Sequence, residues 1–275
     1  MFEFRDVAKS FNNKAVLNEF NVCVERGECV ALLGPNGAGK TVFLEILLDF
    51  LHPEKGEVLR GFDLIRDIGF MPQKDLFPDN LKTHEILQTQ QAYFGKKNNE
   101  AIDRLLNELE LSASRNVFTK QLSGGQKRKL TFIKAIINHP RLLLLDEPTV
   151  GMDLEGCIQF WDKINEMKKS GLTTIITLHH FDELNEYCDR FLFLKDGRIE
   201  KDLSKSDIDN LEIYEIAGDE ALLKEIQQVT GGFVEHNKLT TCYPERLAEW
   251  TINREIVVNK RKASLKDFYQ VIYKR

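Results

Sequence analysis

The sequence predicts an α/β fold, and three features carry that prediction. "ALLGPNGAGKTVFLEIL" (31–47) sets a glycine-rich turn between a short apolar run and a run with helical spacing. "RLLLLDEP" (141–148) is a solid apolar segment, the pattern of a parallel strand buried on both faces. Around these two segments, strand-like and helix-like stretches alternate at the rhythm of a parallel sheet with crossover helices.

Taken in order, residues 1–33 alternate apolar and polar and read as short strands with a turn at Arg26-Gly27. From Val42 to Phe50 the spacing is helical. "PEKGEVLRGFD" is turn-rich and returns the chain to a strand, "LIRDIGFM". Residues 82–110 read as helical through Ile86, Leu87, Tyr93, Ile102, Leu105, Leu106 and Leu109. "QLSGGQ" interrupts, and a helix restarts with Leu130, Ile133 and Ile137 on one face. The strand at 142–145 is followed by a helix at 155–169, the strand "TTIITL", a helix at 181–187 and the hairpin-like "FLFLKDGRIEKD".

Near residue 200 the composition changes. Residues 200–224 hold eight acids and three bases, whereas 250–275 hold seven bases and two acids. The tail reads as strand 211–216, helix 219–230, two short strands over 232–243, helix 245–253, strand 255–260 and helix 264–273. That is a ferredoxin-like βαββαβ order with one extra helix. A domain boundary is expected near 210, giving units 1–210 and 211–275.

Composition narrows the function. The 275 residues carry a net charge of −5 with a pI near 5.8, so nucleic acid is not an expected partner. Five scattered cysteines without a C-x-x-C pair suit reduced thiols in the cytosol. No apolar run approaches the roughly 20 residues of a membrane span. "MFEFRDVAKSF" has no signal-peptide core. The chain is therefore expected to be neither secreted nor membrane-spanning by itself.

Gly34-Pro35-Asn36-Gly37-Ala38-Gly39-Lys40-Thr41 fits G-x-x-x-x-G-K-[ST]. Small residues let successive backbone N–H groups curl round a phosphate, and the following helix adds its free N–H groups and dipole. Lys40 supplies charge to the β- and γ-phosphates, and the Thr41 hydroxyl suits Mg²⁺. Asp146 closes the apolar strand as a metal-binding acid, and Glu147 beside it is placed to activate water. Alone, Asp-Glu-Pro is an ordinary solvated turn; after a phosphate loop it becomes a catalytic candidate.

Leu122-Ser123-Gly124-Gly125-Gln126 opens a helix and forms a second anion cradle, with Ser123 as its cap. Lys127, Arg128 and Lys129 in that first turn oppose the helix dipole. An arriving phosphate and a merely exposed face explain them equally well. Gln73, in "MPQ" at a strand end, suits a metal or water contact.

With these motifs in place, residues 2–210 resemble the nucleotide-binding subunits of ABC transporters. The resemblance implies a P-loop NTPase fold of ABC type: an antiparallel β subdomain, a helical subdomain at about 75–135, and here a small C-terminal α+β domain. It makes Gly34–Thr41 the Walker A loop, Gln73 the Q-loop glutamine, Leu122–Gln126 the signature and Leu142–Asp146 the Walker B strand. Glu147 becomes the catalytic carboxylate, Asp153 part of the D-loop (150–153) and Phe11 the ring that stacks on adenine. Of the neighbours His179 and His180, the family spacing to "CDR" (188–190) selects His179 as the switch histidine.

The resemblance further implies a cytoplasmic ATPase bound to Mg²⁺ and ATP. Two subunits, identical or different, would sandwich each ATP between one Walker A and the other's signature. The pair would drive an integral membrane permease with six-helix halves, on whose cytoplasmic face it sits. A soluble ABC protein acting on ribosomes or DNA usually carries two cassettes or long inserts, which this chain lacks. An inactive nucleotide-dependent regulator is opposed by Lys40, Asp146, Glu147 and His179 occurring together. "LFPDNLKTHEIL" and "KASLKDFYQVIY" resemble the ATPases of ABC-2-type exporters.

Overall fold

The computed structural model describes residues 1–178, 181–236, 238–242 and 257–274. Its centre is a six-stranded sheet in the order β5-β6-β7-β3-β8-β9. The strands are β3 (Cys29–Leu33), β5 (Ile68–Met71), β6 (Leu142–Asp146), β7 (Thr173–Thr177), β8 (Arg190–Lys195) and β9 (Arg198–Ser204). All pairs are parallel except β8 with β9, the hairpin.

The strand period of two divides this sheet between two cores. Ala31, Leu33, Leu143 and Leu145 face one side, which α2 (Thr83–Tyr93), α3 (Asn99–Glu108), α4 (Gly124–Ile136) and α5 (Leu154–Lys169) cover. Val30, Leu32, Leu142 and Leu144 face the other, under α1 (Lys40–Leu47). Both sets are buried, which is why the strands read as continuous apolar runs.

A three-stranded antiparallel sheet, β2-β1-β4, closes the second core. It contains β1 (Phe2–Phe11), β2 (Lys14–Val24) and β4 (Lys55–Arg60). Phe4 and Phe20 pack on Phe43 of α1 with ring centroids 4.9 and 5.4 Å apart, so the sheet is fastened to the helix that follows the glycine loop. β4 lies where the sequence reads as a turn-rich return. Its exposed outer residues hide the strand pattern, and Gly56, at φ 81°, lies against the Arg5-Asp6 backbone where a Cβ would clash.

The helical reading of 82–110 also divides. α2 ends near Gly95 (φ 67°), and Asn98 caps α3 by accepting from the Ala101 N–H at 3.0 Å. α6 (Phe181–Tyr187) and α7 (Lys205–Asn210) complete the main body.

The tail forms an antiparallel sheet, β11-β12-β10-β13. Its strands are β10 (Glu212–Ala217), β11 (Phe233–Glu235), β12 (Lys238–Thr241) and β13 (Val258–Lys262), with α8 (Glu220–Thr230) against it. Among the described residues its own core is Ile216, Leu223, Ile226 and Leu239. The last helix, α9 (Leu265–Tyr273), packs instead between β12 and α6, and its Leu265, Phe268 and Ile272 join the main core. The helix expected at 245–253 lies outside the described residues.

Candidate active site

The ends of β3 and β6 build the site, at the carboxyl edge where open α/β sheets place their ligands. Gly34 leaves β3 so close to β8 that a Cβ would lie 2.7 Å from the Leu194 carbonyl oxygen. Gly37 and Gly39 adopt φ of 80° and 107°, and Gly39 starts α1. These values favour glycine, so side chains are excluded where the backbone must present its N–H groups. Pro35 and Asn36 are exposed at the turn, while Ala38 is buried beneath it.

Lys40 folds back over the loop: its Nζ donates to Gly34 O at 2.6 Å and Pro35 O at 3.2 Å. Burial lowers its pKa below the ordinary lysine value, while Asp146 and Glu147 pull it back up. Thr41 is exposed in the first turn of α1.

Asp146 ends β6 half-buried, and its Oδ1 accepts from Thr177 Oγ1 at 2.5 Å. Glu147 takes a left-handed conformation, φ 48°, and its N–H donates to Thr177 O at 2.8 Å. Gln73, just after β5, donates from Nε2 to Glu147 Oε2 at 2.9 Å. The glutamine and the carboxylate singled out separately in the sequence thus meet.

The buried guanidinium that joins these parts is Arg128, on α4. It donates to the carbonyls of Pro72 (2.6 Å), Asp146 (2.8 Å), Glu147 (2.7 Å) and Pro148 (2.9 Å), and to Asp75 Oδ1 at 3.1 Å. It is neither exposed nor free for phosphate. Lys129 is also buried and donates to Gln159 at 2.9 Å. The cationic first turn is therefore partly internal wiring, not a phosphate-facing or solvated triplet. A pattern exists in the sequence: Arg128 precedes Phe132 and Ile136 by four and eight residues, on a buried stripe.

Ser123 caps α4. Its Oγ accepts from the Gln126 N–H at 3.2 Å, and the Gln126 side chain accepts from the Ser123 N–H at 3.0 Å. Ser123 and Gly124 remain exposed, and Gly125 lies beside Gly151, whose carbonyl a Cβ there would approach to 3.2 Å. Asp153 caps α5 through the Gly156 N–H at 2.9 Å. Ser123–Gln126 thus adjoin 150–153; among the described residues no hydrogen bond or ion pair ties them to Gly34–Thr41. Phe11, at the far end of β1, is 45% exposed, with Lys9 Nζ 5.7 Å from its ring centroid. His179 lies outside the described residues.

A fold of this topology with a glycine loop, a strand-end acid pair and a separate capped cradle defines a nucleotide-hydrolysing ATPase. Residues 17–150 match the family model described as ABC transporter. The chain is 35% identical over 207 residues to "Nod factor export ATP-binding protein I" of Burkholderia lata, covering 71% of this chain and 68% of that protein. The protein of the same name from Rhizobium sp. is 36% identical over 203 residues, covering 70% and 67%. Among solved structures, the "ATP binding subunit of ABC transporter" aligns with a TM-score of 0.70 at 27% identity, covering 76% of this chain and 91% of that one. A dimeric bacterial ABC transporter cassette aligns with a TM-score of 0.66 at 24% identity, covering 74% and 99%. The chain belongs to the ABC transporter family, as an ATP-binding subunit homologous to exporter ATPases. None of its described helices is long and apolar enough to cross a membrane.

Proposed function

We propose that this ATPase drives export through a separate six-helix permease by closing, as a head-to-tail homodimer or heterodimer, around two Mg·ATP. The carrying observation is that the Lys40 loop follows β3 while Asp146 ends β6 of the same sheet, with Gln73 donating to the adjoining Glu147 at 2.9 Å. In this reading Gly34–Thr41 cradle the phosphates, Lys40 holds the β- and γ-phosphates, and Phe11 stacks on adenine. Glu147 orients or deprotonates water, and His179 serves as the switch histidine. Ser123, Gly124, Gly125, Gln126 and Asp153 serve the ATP of the partner subunit.

The Thr41 hydroxyl, the Asp146 carboxylate and the Gln73 amide oxygen would hold Mg²⁺. They are few and all oxygen, which suits an ion that keeps waters and phosphate oxygens as its other ligands. When bound, the ion would supply positive charge that offsets the charge on the phosphates.

We place the cassette at 1–210, with its helical part at 75–135, and the accessory region at 211–275, whose last helix, α9, packs back onto the cassette. The permease would dock at the helical part on the cytoplasmic face. Leu76, beside Gln73, is 81% exposed and Phe118 37%, an apolar surface that suits a partner helix. The exporter direction draws on the similarity to the Nod factor export proteins.

The direct test is Lys40→Ala. The variant should lose ATP hydrolysis by at least about a hundredfold, because the charge on the transferred phosphate goes unanswered. A variant hydrolysing ATP at the wild-type rate overturns the assignment.

A further inference from the structure

Besides the β3 and β6 ends, the phosphate loop rests on a part of the chain far away in sequence. Tyr273, at the end of α9, donates from its hydroxyl to Leu194 O at 2.9 Å, with Leu33 O at 3.3 Å sharing the proton. Leu33 is the last residue before Gly34. Leu194 O is the same oxygen that leaves Gly34 no room for a Cβ. One hydroxyl therefore bridges the ends of the neighbouring strands β3 and β8, on the atom against which the loop begins.

The helix is held to deliver that hydroxyl. Lys195 Nζ donates to Ile272 O at 2.9 Å, a second tie to β8. Phe268 packs edge-on against Phe193, with centroids 5.1 Å apart. Tyr269 lies 4.4 Å from the Tyr273 ring and 4.9 Å from that of Phe181, the first residue of α6. From the hydroxyl the chain of contacts runs through Leu33 and Leu194 to Gly34, and through Gly34 O to Lys40 Nζ at 2.6 Å. Burial pushes the Tyr273 phenol well above the ordinary tyrosine value, so it stays a donor throughout the working pH range.

We propose that Tyr273 is a positioning residue for ATP: its hydroxyl makes the C-terminal helix part of the support of the phosphate loop. The proposal rests on the reading of Gly34–Thr41 as the ATP cradle. It assigns the end of the chain a role in the nucleotide site. Backbone N–H groups bind phosphate well only when held in place, so freeing the strand ends weakens the cradle while the reacting groups stay intact.

The test is Tyr273→Phe in the 275-residue chain, which keeps the ring and removes the hydroxyl. Its Kd for a fluorescent trinitrophenyl-ATP with Mg²⁺, and its KM for ATP, should rise about threefold to tenfold, with kcat within about twofold, the range one lost hydrogen bond spans. Ile102→Val, in the main core on α3 and away from α9, should lower Tm and leave Kd and KM unchanged. Tyr273→Phe that lowers Tm with Kd and KM at wild-type values overturns the proposal alone. A wild-type chain that fails to bind the ATP analogue overturns both the cradle reading and this inference.

Discussion

Arg128 is the residue on which the site's internal order depends most. Its guanidinium answers carbonyls on both sides of the site, at Pro72 and at Asp146–Pro148, and no shorter cation spans them. Arg128→Met takes a donor from several buried carbonyls and leaves Asp75 with Thr131 Oγ1 at 2.6 Å but without its ion pair, costing about 3 kcal/mol or more. The urea midpoint should fall accordingly. At a temperature where the variant is folded, ATPase kcat should fall about tenfold to a hundredfold, because Gln73 and Glu147 lose their common anchor. Unchanged kcat would mean that Arg128 serves stability alone. Lys40 supplies a second residue-scale prediction. Burial lowers its pKa from 10.5, while phosphate favours its charged form, so ATP binding takes up a proton on the alkaline side. Affinity should therefore fall as pH rises through the pKa of free Lys40. Glu147→Gln removes one of the charges that raise that pKa, so the fall should begin at lower pH in the variant. ATP titrations from neutral pH to 10.5 measure this, and coincident curves would deny the coupling.

At the scale of elements, α9 behaves as part of the main body. Phe268 is buried against Phe193, on a strand next to the one that feeds the phosphate loop. Phe268→Ala should cost about 3–5 kcal/mol. That loss should appear as a lowered Tm of the whole ATPase rather than as early melting of the tail. A separate low-temperature transition with the main Tm unmoved would show that the helix belongs to an independent unit. The element also shows what sequence periodicity carries. β3, β6 and β7 were legible because strands buried on both faces are apolar without interruption. The apolar face of α9 was legible too, but not its docking partner, since periodicity says which face is buried and not against what. β4 escaped because exposed strand residues look like a loop. Gly34–Thr41, Asp146 and Glu147 were legible because phosphate chemistry demands those types at that spacing. Arg128 was not, because one arginine among three cations looks solvated unless the buried stripe through Phe132 and Ile136 is traced.

For the whole molecule, the decisive geometry is that one chain carries two cradles built on different elements. Walker A follows β3, whereas Ser123–Gln126 caps α4 beside Gly151. Next to that cradle Val150 is 51% exposed and Leu154 79%, apolar surface flanking Asp153 that a second subunit would cover. A head-to-tail pair uses both cradles and the apolar rim at once; a lone ATPase uses one cradle. Glu147→Gln keeps the shape of the site and removes the charge proposed to activate water, so Mg·ATP should bind and persist. Any preference of ATP for the closed pair then appears as mass action, about 2.7 kcal/mol at a hundredfold excess over Kd. Light scattering should show Glu147→Gln passing from monomer to dimer on adding ATP. In the proposed head-to-tail pair, adding Ser123→Arg should abolish that shift, because a bulky side chain would fill the cradle assigned to the other subunit's γ-phosphate. The double variant should still bind ATP, because its own Walker A is untouched. A dimer that forms regardless of Ser123→Arg would sink the head-to-tail arrangement, since the signature would then lie outside the interface.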